Sequence, residues 1–144
     1  MNAAQVQDAV RDGIVRGLAI VGLAGIALIH LLDAPGQFEE TPYLGWLYVG
    51  LIFGCVAVAG ALVRGSSPRA WLAAGALALS VTAGYTLSRT TGLPGASGDV
   101  GHWGEQLGIA SLFVEGAVVA VSAFALRDWI PQARFRAVAA EVAR

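Results

Sequence analysis

The chain has no lysine, a single cysteine and a single methionine, and only 13% of its residues are charged. All nine basic residues are arginine. Against ten acids they leave a formal net charge of -1, so no basic field exists to attract nucleic acid. Cys55 stands alone in an apolar run, where it can form neither an internal disulfide nor a cysteine-based metal knuckle. No glycine-rich nucleotide loop and no serine–histidine–acid set occurs in the strand-to-helix context such motifs require. Enzyme activity therefore has no sequence support.

What remains is hydrophobic. Apolar residues make up 56% of the chain and the mean hydropathy is +0.66, whereas a soluble domain carries roughly 25% charged residues. Four apolar runs, at 14–32, 44–63, 70–87 and 107–126, each approach the ~20 residues a helix needs to cross the hydrocarbon layer. None contains proline. Pro35, Pro42, Pro68, Pro94 and Pro131 all fall outside the runs, where they are expected to start or end helices. A soluble bundle would need a charged stripe on every helix, and these runs hold only Arg16, His30 and Glu115. The first run is too long for a signal-peptide core and is followed by no small-x-small cleavage site, so it reads as a retained span. The expected fold is all-α, a single-domain integral membrane four-helix bundle over residues 1–144.

Arginine distribution orients it. Arg11 and Arg16 flank the first span, Arg64 and Arg69 fill the second connection, and Arg127, Arg134, Arg136 and Arg144 follow the fourth span. The first and third connections hold only Arg89, so the positive-inside rule predicts cytoplasmic N and C termini and outward-facing first and third loops. Tyr43, Trp46 and Trp103 fit an outer aromatic belt, with Trp71 and Trp129 in an inner one. The arginine-rich tail, 127–144, suits either a short interfacial helix or a solvated segment. Gly50 and Gly54, four residues apart, suit close helix packing or a homo-oligomer face.

The outward loops carry Asp33, Glu39, Glu40, Asp99 and Glu105 against the single Arg89. Both histidines lie on that side, each with a carboxylate three residues on: His30 with Asp33, His102 with Glu105. That spacing places imidazole and carboxylate on one helix face, a pattern that bundle-core metal sites use. Glu115 sits eight residues into the fourth run, about 12 Å below its outer end, where an ionised acid costs ~2.5 to 3.5 kcal/mol and is a functional candidate by default. Its structural alternative is a single interhelical hydrogen bond. Gly104, Gly108, Ser111, Glu115 and Ser122 line one stripe of that helix, and Thr82, Tyr85 and Arg89 line another on the third. Arg89 is expected to pair with Glu105 or Glu39. Tyr85, Arg89 and Ser111 thus form the structural polar network around a metal or ligand set of His30, Asp33, Glu39, His102, Glu105 and Glu115. His102 falls in the glycine-rich 92–104 stretch and reads more simply as an exposed loop residue, whereas His30 is the better ligand candidate.

The segments His30-Leu31-Leu32-Asp33, Phe38-Glu39-Glu40, Tyr43-Leu44-Gly45, Ser88-Arg89-Thr90-Thr91-Gly92-Leu93-Pro94 and Trp103-Gly104-Glu105 resemble those of uncharacterised small four-span membrane proteins of actinobacterial type. The likeness covers residues 30–126, with the Ser-Arg-Thr-x-Gly-Leu-Pro run as its most distinctive part. It implies a multi-pass protein of a bacterial plasma membrane and carries no chemistry.

Three functions follow as expectations. The first is an outward-facing binding site for a small ligand or a divalent transition metal, with mixed imidazole and carboxylate donors suiting Zn, Cu, Fe or Mn. The second is an accessory subunit held in a larger membrane complex, with the polar cluster as internal glue. The third is a redox protein, with His30 and His102 as axial haem ligands or with Tyr85, Glu115 and His30 lining a quinone or lipid pocket.

Overall fold

The computed structural model describes residues 2–127 and Trp129. Its helices are α1 (Ala3–Glu40), α2 (Pro42–Arg64), α3 (Pro68–Thr90) and α4 (Gln106–Leu126), each long and apolar enough to cross a membrane. Every apolar run of the sequence falls within one helix. The segment after Trp129, where an interfacial helix or a solvated tail was expected, lies outside the described residues.

Capping residues set the helix boundaries. Asn2 accepts the Gln5 backbone N–H at 2.9 Å while the Gln5 side chain accepts the Asn2 backbone N–H at the same distance, a reciprocal capping box. Pro42 and Pro68 open α2 and α3, where a missing N–H costs nothing. Ser67 caps α3 by accepting from the Ala70 N–H at 3.2 Å. Pro35 departs from expectation: it lies inside α1, which continues to Glu40. A proline there leaves the Leu31 carbonyl without its helical donor. Leu31 itself is exposed, on the side of α1 away from the packed core. Thr41 alone separates α1 from α2.

The helices run up and down in sequence. α1 packs on α2 and α4, and α3 packs on α4, while α2 and α3 touch least among these neighbours. Buried residues on α1 fall at Ala19, Leu23, Ile26, His30 and Ala34, a single face repeating every three or four positions. The apolar core gathers Leu23, Ile26, Cys55, Leu62, Trp71, Ala74, Ala78 and Val118. Outward-facing apolar side chains are abundant, with Phe53 71% and Phe113 79% exposed. Such a surface is compatible with lipid and not with water.

Trp71 differs from its expected place in an aromatic belt. It is fully buried, with its indole N–H donated to Ser66 Oγ at 2.7 Å, so the ring plugs the core and its one polar atom is satisfied within the α2–α3 turn. The same end holds Arg16, which bonds the Leu62 carbonyl at 3.2 Å and pairs with Asp12 at 2.8 Å. Arg11 and Arg127 stack on the Phe124 ring at 5.0 and 3.8 Å. The arginines of the N-terminus, the second connection and the end of α4 therefore share one end of the bundle.

Candidate functional site

Towards the opposite end the four helices line a half-open cavity of about 820 Å³. It takes side chains from all four helices and from the 91–105 connection. On α4 it reaches from Glu105, the capping residue, to Glu115, ten residues and about 15 Å along the axis at 1.5 Å per residue. Its α2 and α3 walls, including Leu47, Gly50, Leu51, Leu77, Ser80 and Gly84, flank the seam where those helices touch least. An added Cβ at Gly50 or Gly84 would meet nothing within 4 Å, so the cavity walls are open along that seam.

Glu115 forms the floor. It is fully buried on the α4 stripe that also buries Gly108, Ser111, Val118 and Ser122. The expected stripe is thus present from Gly108 onward, whereas Gly104 precedes the helix and is exposed. One carboxylate oxygen takes a hydrogen bond from Ser111 Oγ, and the other lies 2.7 Å from Thr82 Oγ1 on α3. Thr82 Oγ1 is also 3.1 Å from the Ala78 carbonyl. Gly108 lets Tyr85 lie flat against α4, since a Cβ there would sit 2.9 Å from the Tyr85 hydroxyl oxygen.

One α1 turn above the core, His30 is 6% exposed and meets Tyr48 of α2 edge to face, with ring centroids 4.7 Å apart. Its Nδ1 lies 2.9 Å from the Ile26 carbonyl oxygen. A carbonyl can only accept, so Nδ1 carries the hydrogen, and in the neutral ring Nε2 is left as an acceptor. No described residue bonds Nε2. Asp33, the next residue outward on that face, lies beside the Tyr48 hydroxyl and accepts a long 3.4 Å contact from Gln37. Neither Asp33 nor Glu115 pairs with a cation among the described residues.

Arg89 holds the mouth together. Its side chain is 6% exposed, with Nη1 2.9 Å from Asp99 and Nη2 on Glu105. Its carbonyl accepts the Gly101 N–H at 2.9 Å, and its guanidinium carbon lies 5.0 Å from the Tyr85 ring centre. Nε is buried without a hydrogen-bond partner. Gly92, at φ +77°, reverses the chain after α3, a conformation that excludes most side chains. Tyr43 then ties α2 to the far side of the connection by donating to the Pro94 carbonyl at 2.8 Å. Tyr85 donates to Trp103 O at 3.3 Å. One arginine, two acids and two tyrosines thereby fasten the loop over the cavity.

Of the residues singled out from sequence, His30, Asp33, Tyr85, Arg89, Glu105, Ser111 and Glu115 line this cavity. Glu39 and His102 do not, because Glu39 lies on the other side of α1 and His102 projects from the exposed loop. The partner of Arg89 is Glu105, as expected, together with Asp99 in place of Glu39. Among the described residues, no three His, Cys, Asp or Glu side chains are grouped as a metal ion would require. Sequence reasoning passed over Tyr48 and, though it counted Asp99 among the acids facing Arg89, did not pair the two. Tyr48 carried a signal, since a phenol four residues inside an apolar run needs a polar partner; Asp99 carried none, because the loop path alone brings it to Arg89. No family model, curated protein or solved structure matches the chain.

Proposed function

We propose that the protein is a multi-pass membrane protein of a bacterial plasma membrane that binds a small amphipathic molecule in the outward half of its bundle. The observation that carries this reading is the 820 Å³ cavity, large enough for an organic ligand and furnished with several buried polar groups rather than one. Clustering of Arg11, Arg16, Arg64, Arg69 and Arg127 at the opposite end favours termini in the cytoplasm and a cavity facing out. Access runs between α2 and α3, so a ligand dissolved in the outer leaflet reaches the polar floor without crossing the fastened loop. Apolar seam residues then hold its body while His30, Asp33, Tyr48 and Glu115 read its polar end.

The test is to purify the full chain in nanodiscs, extract it, and identify small molecules retained in stoichiometric amount by mass spectrometry. A retained amphiphile that is lost when Gly84→Leu narrows the seam supports the reading. Unliganded protein that also fails to bind any amphiphile on titration ends it.

A metal ion is the second reading, favoured by one observation. His30 donates Nδ1–H to the Ile26 carbonyl, which in the neutral ring leaves Nε2 free to ligate, the arrangement that orients a metal-bound imidazole. Asp33 on the same face would supply a carboxylate oxygen. Elemental analysis of wild type and His30→Ala, prepared without chelator or metal-affinity resin, decides it: stoichiometric Zn, Cu, Fe or Mn lost in the variant supports a metal site.

A further inference from the structure

We infer that the ligand is a protonated amine with an apolar body, an inference that rests on the amphiphile reading above and specifies its charge. The first ground is a charge account. Among the described residues Arg89 is the one arginine lining the cavity, and its two terminal nitrogens are committed to Asp99 and Glu105 at the mouth. Deeper in, Asp33 and Glu115 have no cationic partner among the described residues. Carboxylates at membrane depth are expensive unless neutralised or paired, so a cation arriving in the cavity gains twice, from attraction and from relief of that cost.

The second ground is independent of the acids. His30 is more than nine-tenths buried and lines the cavity, and its Nε2 is an acceptor that no described residue uses. An ammonium N–H can donate to that nitrogen where a quaternary ammonium, carboxylate or ether cannot; an alcohol O–H can as well, so this ground selects a donor and the charge account selects a cation. The third ground is aromatic. Tyr48 stands edge to face with His30, and Tyr43 and Trp46 line the same space, aromatic residues of the kind that bind organic ammonium groups, whereas the Tyr85 ring is already engaged by Arg89 and Gly108. An amine nitrogen lodged between His30, Asp33 and Tyr48 would leave its alkyl chain directed down the α2–α3 seam, against Leu47, Leu51 and Leu77. Glu115 lies deeper along the bundle than His30, since it is Gly25, not His30, that faces Val114 on α4, and it would set the electrostatic preference without direct contact.

Dodecylamine, dodecanol and dodecanoate share one chain and differ in head charge, so they separate the two claims. Saturable binding of each radiolabelled probe to full-length protein in nanodiscs is measured at neutral pH, over empty nanodiscs of the same lipid. Dodecylamine is expected to saturate at one site and to bind at least about tenfold more tightly than dodecanol, with Asp33→Asn reducing its affinity by about tenfold. Dodecanoate is expected to show no saturable component. His30→Phe keeps an aromatic ring and removes the acceptor, and is expected to weaken dodecylamine, and dodecanol with it to the extent that the hydroxyl uses the same acceptor. Unaltered thermal unfolding shows that either variant has folded. Equal affinity for dodecylamine and dodecanol, or undiminished dodecylamine binding in both variants, overturns the amine assignment and leaves the amphiphile reading intact. Saturable binding of none of the three overturns both.

Discussion

The two halves of this bundle are built from similar helices and reach opposite ends. The half containing the α2–α3 turn is closed by small residues that admit close packing, with Ala19, Ala70, Ala74 and Ala78 around a fully buried Trp71. The half that holds the cavity has the same helical spacing, yet large polar residues replace alanine on the inward faces, and Gly50 and Gly84 leave space unfilled. A bundle that packed both halves alike would have no use for His30, Asp33 and Glu115 at depth. The difference teaches that close packing is concentrated at one end, while the other holds an unfilled space lined by polar groups.

Removing the plug gives the largest expected effect. Trp71→Ala should lower the unfolding free energy by ~3 to 5 kcal/mol, read by thermal or denaturant unfolding in a mild detergent. A loss no greater than that of Tyr48→Ala would abolish the distinction between the halves. Next, Arg89→Ala frees Asp99 and Glu105 from their common partner. Because both acids are about half exposed, solvent screens them, and the cost should be only ~1 to 2 kcal/mol. Its clearer signature is local: proteinase K should cut the 91–105 connection sooner than in wild type, with the helices still intact.

Gly108→Ala sharpens the comparison, since one methyl group is set against the Tyr85 ring. Overpacking of this kind costs ~1 to 3 kcal/mol, and Tyr85 should also lose its bond to the Trp103 carbonyl. A tyrosine that swings aside without cost would appear as an unchanged unfolding midpoint. Smallest of all, Glu115→Gln preserves shape and one hydrogen-bond acceptor beside Ser111 and Thr82, so stability should shift by less than ~1 kcal/mol. Dodecylamine binding should nevertheless weaken, because an amide cannot attract an ammonium as a carboxylate can. A large stability loss with unchanged binding would make Glu115 glue between α3 and α4.

Several of these contrasts were legible in the sequence. The four runs, their lengths and the uneven arginines follow from the length and composition a bilayer demands, so α1 to α4 were recognisable before any coordinates. The i, i+3 and i, i+4 periodicity placed Ser111 and Glu115 on one face of α4 and Tyr85 and Arg89 on one face of α3, because a helix fixes those angles locally. Local rules failed at Pro35 and Trp71. Proline was read as a boundary and tryptophan as a belt residue, but α1 runs through the first, and the α2–α3 turn draws the second into the core through Ser66.

Sequence alone determined that this chain makes four apolar helices with one arginine-rich end and one acidic end, since hydrophobicity, helical periodicity and charge count are properties of short segments. Only the tertiary structure decided which polar groups meet. Arg89 finds Asp99 through a loop turned by Gly92, Tyr48 meets His30 across α1 and α2, and Thr82 reaches Glu115 across α3 and α4. Glu39, one residue from the cavity-lining Glu40, is turned away by 100° of helix. Those meetings depend on helix rotation and on the loose α2–α3 seam, which arise from the packing of all four helices at once and are written in no single one of them.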